Sequence, residues 1–142
     1  MNSLTRDTII LKGAHIGKQE EATAAEVVYP GQFVELTAEG KLVKAAGNST
    51  VKRIVVENTF IGEGIESPYA VNDVVRYVVV GSGDVVNARV AAATAAFTVG
   101  APVSVAATGF VNPTEDNVIG DVREPLDNSS GTEAAFLVTT IA

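Results

Sequence analysis

Short valine-rich runs, separated by glycine and proline, recur along the sequence from Tyr29 to its last residue. Two of these runs, residues 74–80 and 84–90, flank Gly81-Ser82-Gly83. Valine favours extended backbone because its β-branch is not penalised there, whereas glycine and proline favour turns. The pattern therefore predicts an all-β chain, and the two runs around Gly81-Ser82-Gly83 predict a β-hairpin.

Other runs of the same kind predict further short strands. They cover residues 33–36, 41–44, 51–57, 100–111, 118–122 and 134–141. The first two are separated by four residues and predict a second hairpin. Residues 91–97 are rich in alanine, and two interpretations stay open for them, a helical turn or a strand of small residues.

One stretch of the sequence repeats another. When residue 31 is laid on residue 100, Gly31, Val34, Leu36, Gly40 and Leu42 match Gly100, Val103, Val105, Gly109 and Val111. The match continues loosely downstream after a two-residue shift. We therefore expect a compact β-barrel or sandwich-like domain built from two related hairpin units, because closing a sheet removes exposed strand edges.

The leading residues differ in composition from the rest. We expect residues 1–28 to form an extended N-terminal arm and residues 29–142 to form the β domain. In the arm only Thr8, Ile9, Ile10 and Leu11 resemble a strand, and a short helix over residues 19–26 is an alternative. Such an arm buries little apolar area, so we expect it to be mobile until a partner orders it.

Charge and cysteine content exclude several classes of protein. The chain has no cysteine, which excludes disulfides and thiolate metal sites. Its net charge is −7, which argues against a nucleic-acid partner, although Arg6, Lys12 and Lys18 outnumber Asp7 in residues 1–19. Residues 90–114 are uncharged but contain two glycines and two prolines, so we expect no membrane span. Charged residues at positions 6, 7 and 12 interrupt the first apolar run, so we expect no export signal.

No combination of residues resembles a catalytic or cofactor site. His15, the single histidine, lies in the arm without a nucleophile nearby in the sequence, and the carboxylates fall in turns or at alternating outward positions. Residues 115–117 and 127–130 contain oxygen ligands suited to a hard cation, but without a known calcium-loop spacing. We therefore expect no enzyme activity, no metal and no cofactor.

The pattern of turns and strands resembles that of tailed-bacteriophage capsid decoration (cement, head-stabilising) proteins. The resemblance rests on Tyr29-Pro30-Gly31-Gln32, the loop at residues 62–69, the hairpin at residues 100–111 and Val118-Ile119-Gly120-Asp121-Val122. It implies a structural virion protein, made in the host cytoplasm, that binds the capsid exterior and cements neighbouring capsomers. It also implies two partners, the major capsid protein and copies of the chain itself, as a homotrimer by preference or a dimer.

The arm is the expected contact region with the capsid or with a neighbouring subunit. Its candidate contact residues are Arg6, Thr8, Ile9, Ile10, Leu11, Lys12, His15 and Lys18. Residues 8–11 can add a strand to an exposed sheet edge, and the basic residues can face acidic shell surface. Two alternatives stay open: a carbohydrate- or host-surface-binding β module of a phage tail or fibre, and a small hydrolase or isomerase on a β barrel.

Overall fold

The computed structural model describes residues 8–13, 19–46, 51–58, 62–91, 96–106, 108–114, 117–131 and 135–142. Within these ranges the chain forms β-strands and no helix, so the predicted all-β class is confirmed. It follows that no helix of the described chain could cross a membrane.

The strands form two antiparallel sheets. The six-stranded sheet has the order β1-β7-β11-β10-β8-β9, and the five-stranded sheet has the order β2-β6-β5-β3-β4. The strands of the first are β1 (Ile10–Lys12), β7 (Val85–Val90), β8 (Pro102–Val105), β9 (Val111–Asn112), β10 (Val118–Val122) and β11 (Ala135–Ile141). Those of the second are β2 (Gln19–Thr23), β3 (Phe33–Leu36), β4 (Leu42–Lys44), β5 (Arg53–Val55) and β6 (Val74–Val79).

The two sheets share one topology, which confirms and extends the repeat seen in the sequence. Strands β2 to β6 form unit 1 and strands β7 to β11 form unit 2. In each unit the first strand pairs with the fifth, the fifth with the fourth, the fourth with the second and the second with the third. Strand β1 adds to the outer edge of β7 in unit 2.

Matching hydrogen bonds fix which residues of the two units correspond. Gly31 N donates to Val55 O at 2.8 Å, and Gly100 N donates to Val122 O at 2.8 Å. Isolated bridges join Val28 to Tyr69 in unit 1 and Phe97 to Leu126 in unit 2. The repeat therefore covers all five strands of each unit and the turns between them.

Unit 1 curls until its two edge strands meet. The residue after β2, Ala24, forms a bridge with Leu42 of β4, and Ala25 N donates to Leu42 O at 2.9 Å. The small core enclosed in this way contains Ala24, Val28, Val34, Leu42, Val55, Tyr69, Val75 and Tyr77.

The larger core lies between the two sheets. Strand alternation divides the apolar side chains of unit 1 between the two cores, since successive residues point to opposite faces. Val34 and Val55 belong to the enclosed core, whereas Phe33 and Ile54 pack with the residues of unit 2. The molecule is therefore sandwich-like, with one of its two layers nearly closed on itself.

The hairpin predicted around Gly81-Ser82-Gly83 is wrong. Both strands form, and Asp84 N closes the turn by donating to Gly81 O at 3.1 Å. However, β6 pairs with β2 and β5, whereas β7 pairs with β1 and β11, so the turn carries the chain from one sheet to the other. Each valine-rich strand buries more apolar surface between two neighbours in its own sheet than in a two-stranded hairpin.

The β fold begins earlier in the chain than residue 29. Residues 19–23 form β2, which pairs with β6 from Gln19↔Val78 to Thr23↔Val74, so the helix alternative for residues 19–26 is wrong. Weak helix propensity is overridden here by the ladder hydrogen bonds of a neighbouring strand. Residues 1–7 and 14–18 of the expected arm lie outside the described residues, as do residues 92–95 of the ambiguous alanine-rich stretch.

Candidate attachment surface

The segment before β1 is fixed to the body of the protein. Asn87 uses both its side chain and its backbone for this purpose: Nδ2 donates to Thr8 O at 3.0 Å, and N donates to Ile9 O at 2.8 Å. Ile9 N donates to Glu57 Oε1 at 3.3 Å, and the Ile9 side chain is fully buried in the larger core. These contacts order a part of the chain that the sequence predicts to be mobile.

Strand β1 lies at the edge of the six-stranded sheet. One side of it pairs with β7, with a register shift between Ile10 and Lys12, and within the described residues its other side faces no strand. Ile10 and Leu11 are half-buried, whereas Thr8 and Lys12 are exposed. An unpaired strand edge of this kind can accept a strand from another chain.

The structure brings together five of the eight predicted contact residues. Thr8, Ile9, Ile10, Leu11 and Lys12 form one continuous segment at this edge, with Ile9 turned into the core. The remaining three are Arg6, His15 and Lys18, and they lie outside the described residues.

Arg89 is a buried residue whose role the sequence pattern did not reveal. It lies on β7, and its side chain reaches unit 1: Nε donates to Pro30 O at 2.9 Å and an Nη donates to Ile65 O at 2.8 Å. The guanidinium lies 4.9 Å from the centre of the Tyr29 ring and 4.6 Å from that of Phe136. Arg89 therefore joins the turn at residues 29–31 and the loop at residues 62–68 to unit 2.

Burial governs the electrostatics of Arg89. Loss of solvent lowers the pKa of its guanidinium, and the Glu66 carboxylate, 3.7 Å away, partly reverses this effect. The Glu66 side chain is 76% exposed, so its ion pair with Arg89 is screened by water. The two carbonyl acceptors and the two rings are thus the main partners of the buried charge.

One signal for this contact was present in the sequence. Asn87 and Arg89 interrupt an otherwise apolar strand, and both are buried together with their neighbours in β7. A polar residue in a strand that is buried on both faces needs hydrogen-bond partners. The partners lie far away in the sequence, at residues 8–9, 30 and 65. The sequence pattern could therefore indicate that hydrogen-bond partners are needed, but it could not identify them.

The acidic turn at residues 127–130 uses its carboxylate within the turn. Asp127 Oδ1 accepts hydrogen bonds from Ser129 N at 3.0 Å and Ser129 Oγ at 2.6 Å, and these bonds lower the pKa of Asp127. Within the described residues, no group of three or more histidine, aspartate or glutamate side chains is arranged to hold a metal ion. Glu115 and Asp116 of the other predicted cation loop lie outside them.

No protein-family model matches the sequence, and no curated protein matches it. The fold, by contrast, is similar to the crystal structure of the head fiber gp8.5 N base in bacteriophage phi29. The TM-score is 0.57 at 16% sequence identity, and the match covers 87% of this chain and 92% of that chain. The similarity therefore extends over both units, and it is a similarity of fold.

Proposed function

We propose that the chain is a structural protein of a bacteriophage virion that binds the exterior of the head. The observation that carries the proposal is the fold shared with the phi29 head fiber base over nearly the whole of both chains. The resemblance in turn and strand pattern to capsid decoration proteins, which rests on the sequence alone, supports the same role.

In this role the protein stabilises the shell by cementing neighbouring capsomers. Its partners are the major capsid protein and copies of itself, with a homotrimer preferred over a dimer. It acts without enzyme activity, cofactor, nucleic acid or membrane. A shell offers many identical sites, so several weak contacts on a lattice add up to stable attachment.

The open edge of β1 is the part of the protein that we assign to the shell. It combines unpaired backbone groups with the exposed Lys12, and Arg6 precedes it in the sequence. The rest of the chain, residues 20–142, is strongly acidic, so this basic segment is the part best suited to an acidic shell surface. Because Ile9 and Asn87 hold the segment in place, the contact loses less entropy than that of a free arm.

Co-sedimentation with heads assembled without this protein tests the proposal. The double variant Arg6→Glu/Lys12→Glu should bind such heads at least about tenfold more weakly than the native chain, since it reverses two charges at the contact. The matched control is Lys41→Glu/Arg123→Glu, because it reverses the same number of charges at two exposed positions outside β1 and β7. It should bind like the native chain.

Two results would contradict the proposal. Native protein that stays in the supernatant at every head concentration would exclude head binding altogether. Equal binding by the double variant and the native chain would exclude the β1 edge as the contact. Circular dichroism of both variants confirms that any loss of binding is not a loss of folding.

The glycan-binding alternative has less support from the structure. Such sites commonly use exposed aromatic rings. Among the described residues, Tyr29 is the aromatic side chain exposed by more than a third, and the Arg89 guanidinium stacks on its ring.

A further inference from the structure

The outer edge of β2 continues the outer edge of β1. Lys12 of β1 pairs with Val85 of β7. Gln19 of β2 pairs with Val78 of β6. The two pairs are separated by seven residues on each side of the ladder. The two ladders therefore share one register, and β1 and β2 follow β7 and β6 from one sheet to the other.

Part of the β2 edge is open. β4 covers this edge at Ala24 and Ala25, through the bridge to Leu42 and the bond to its carbonyl. Among the described residues, no strand lies beside residues 19–22 on that side. The open part is therefore the beginning of β2, the end that follows β1 in the chain.

The backbone of β2 presents pairing groups at this open edge. Ala24 N bonds on the β6 side, to Asp73 O at 2.9 Å, whereas Ala25 N bonds on the β4 side. Backbone groups alternate in direction along a strand, so the N–H and C=O groups of Gln19 and Glu21 point away from β6, as that of Ala25 does. The part of the chain that the structure describes contains no strand that pairs with them.

The β2 edge is more regular than the β1 edge. β2 pairs with β6 along its full length of five residues without a register shift. The β1 ladder, by contrast, shifts between Ile10 and Lys12. A bulge is one of the features that protect an edge strand from pairing with another chain. β2 therefore provides the better template for an added strand.

We propose that the shell contact assigned to β1 extends along β2, where an extended segment of the shell protein pairs with the backbone of Gln19 and Glu21. This inference rests on the proposed head binding. Lys12 is exposed beside β7, and Glu20 and Glu21 are exposed on β2. The incoming segment should therefore be acidic where it passes β1 and basic where it passes β2. Such a segment contacts both units of the chain at once.

Proline substitution tests the backbone pairing by co-sedimentation with heads assembled without this protein. Proline lacks the N–H group, and where that group faces away from the neighbouring strand the change leaves the β2–β6 ladder intact. Gln19→Pro and Glu21→Pro should each bind heads at least about tenfold more weakly than Gln19→Ala and Glu21→Ala, because proline removes a hydrogen bond to the incoming strand. The alanine variants are the matched controls, since they lose the same side chains but keep the N–H groups.

Hydrogen exchange of the native chain provides a second measurement that needs no variant. The outward amides of β2 become hydrogen-bonded when a strand is added. A peptide covering residues 19–23 should therefore exchange at least about tenfold more slowly on heads than in the free protein.

Two results would overturn the inference and leave head binding intact. One is proline variants that bind heads as tightly as their alanine counterparts, and the other is unchanged exchange of residues 19–23 when the native chain is bound to heads. Native protein that remains in the supernatant would instead contradict the proposed function, and this inference with it. Circular dichroism identifies a proline variant that has lost its fold, in which case hydrogen exchange decides.

Discussion

Replacing Arg89 by methionine should destabilise the fold more than any other arginine substitution in the described chain. The change retains apolar volume but removes the donors to Pro30 O and Ile65 O. Each buried carbonyl left without a partner costs about 1–3 kcal/mol. The lost contacts of the guanidinium with the Tyr29 and Phe136 rings add about 0.5–2 kcal/mol each.

Part of that loss is returned, because the variant no longer has to bury a charge. The Arg89 side chain is only 5% exposed, and this burial lowers the pKa of its guanidinium. Replacing a buried charge by an apolar side chain recovers about 1–4 kcal/mol in known cases. The net loss should therefore be about 4 kcal/mol in the free energy of unfolding.

Urea unfolding followed by circular dichroism measures this quantity. With a slope of about 1–3 kcal/mol per molar urea, the midpoint should fall by roughly 1–4 M while the slope stays unchanged. Arg123→Met is the control, because Arg123 is exposed, and its effect should stay within about 0.5 kcal/mol. Arg89→Lys should fall between the two, since lysine keeps the charge but not the planar fork of donors.

A loss below about 1 kcal/mol for Arg89→Met would refute this reasoning. It would mean that the loop at residues 62–68 and the turn at residues 29–31 are held by other contacts. A lysine variant as unstable as the methionine variant would show that the geometry of the guanidinium matters and its charge does not.

Three further predictions concern stability. Burial raises the pKa of Tyr69 to about 12 from 10.0, so this tyrosine ionises at lower pH in the unfolded state than in the folded state. The free energy of unfolding should therefore fall as the pH rises from 10 to 12. Urea unfolding at each pH should show a smaller fall for Tyr69→Phe than for the native chain. Gly109→Ala should cost about 2–4 kcal/mol and Gly40→Ala about 1, because both have positive φ but only Gly109 lies against Phe33 O; equal losses in thermal unfolding would contradict this. Ile9→Ala should cost about 2–4 kcal/mol in urea unfolding, whereas a mobile segment would show almost no loss.

The strands and the repeat could be predicted from the sequence because both depend on local patterns. Valine-rich runs define strands such as Val74–Val79, and glycines at matching positions mark equivalent turns. The matched Gly31 and Gly100 both have positive φ, which explains why glycine occurs at both. A local pattern of this kind can be recognised in the sequence because it depends on no distant partner.

The pairing of strands could not be predicted in the same way. The two runs beside Gly81-Ser82-Gly83 are equally compatible with a hairpin and with a crossover, since a short turn permits both. Which occurs depends on the alternative partners β2, β5 and β11, which lie elsewhere in the sequence. β2 itself has the sequence Gln-Glu-Glu-Ala-Thr, whose composition does not resemble that of a strand. It forms one because β6 offers an edge.

The order of the segment before β1 could not be predicted from the sequence for a related reason. The strand pattern of residues 8–11 overlaps β1 (Ile10–Lys12) only in part, and the placement of Thr8 and Ile9 depends on Asn87 and Glu57, which are distant in sequence. A truncation that removed residues 2–20 would delete Ile9 from the core and the first residues of β2. Point substitutions at exposed positions are therefore the appropriate test of binding.

Corresponding outer sheet faces of the two units differ in polarity. Ile54 of unit 1 faces unit 2 in the larger core, whereas the corresponding Asp121 of unit 2 is exposed. If the two units had kept identical outer faces, that of unit 2 would be apolar and would favour unlimited stacking of copies. Polar residues at Asp121 and Thr140 lower that risk. The divergence thus disfavours aggregation through the sheet faces.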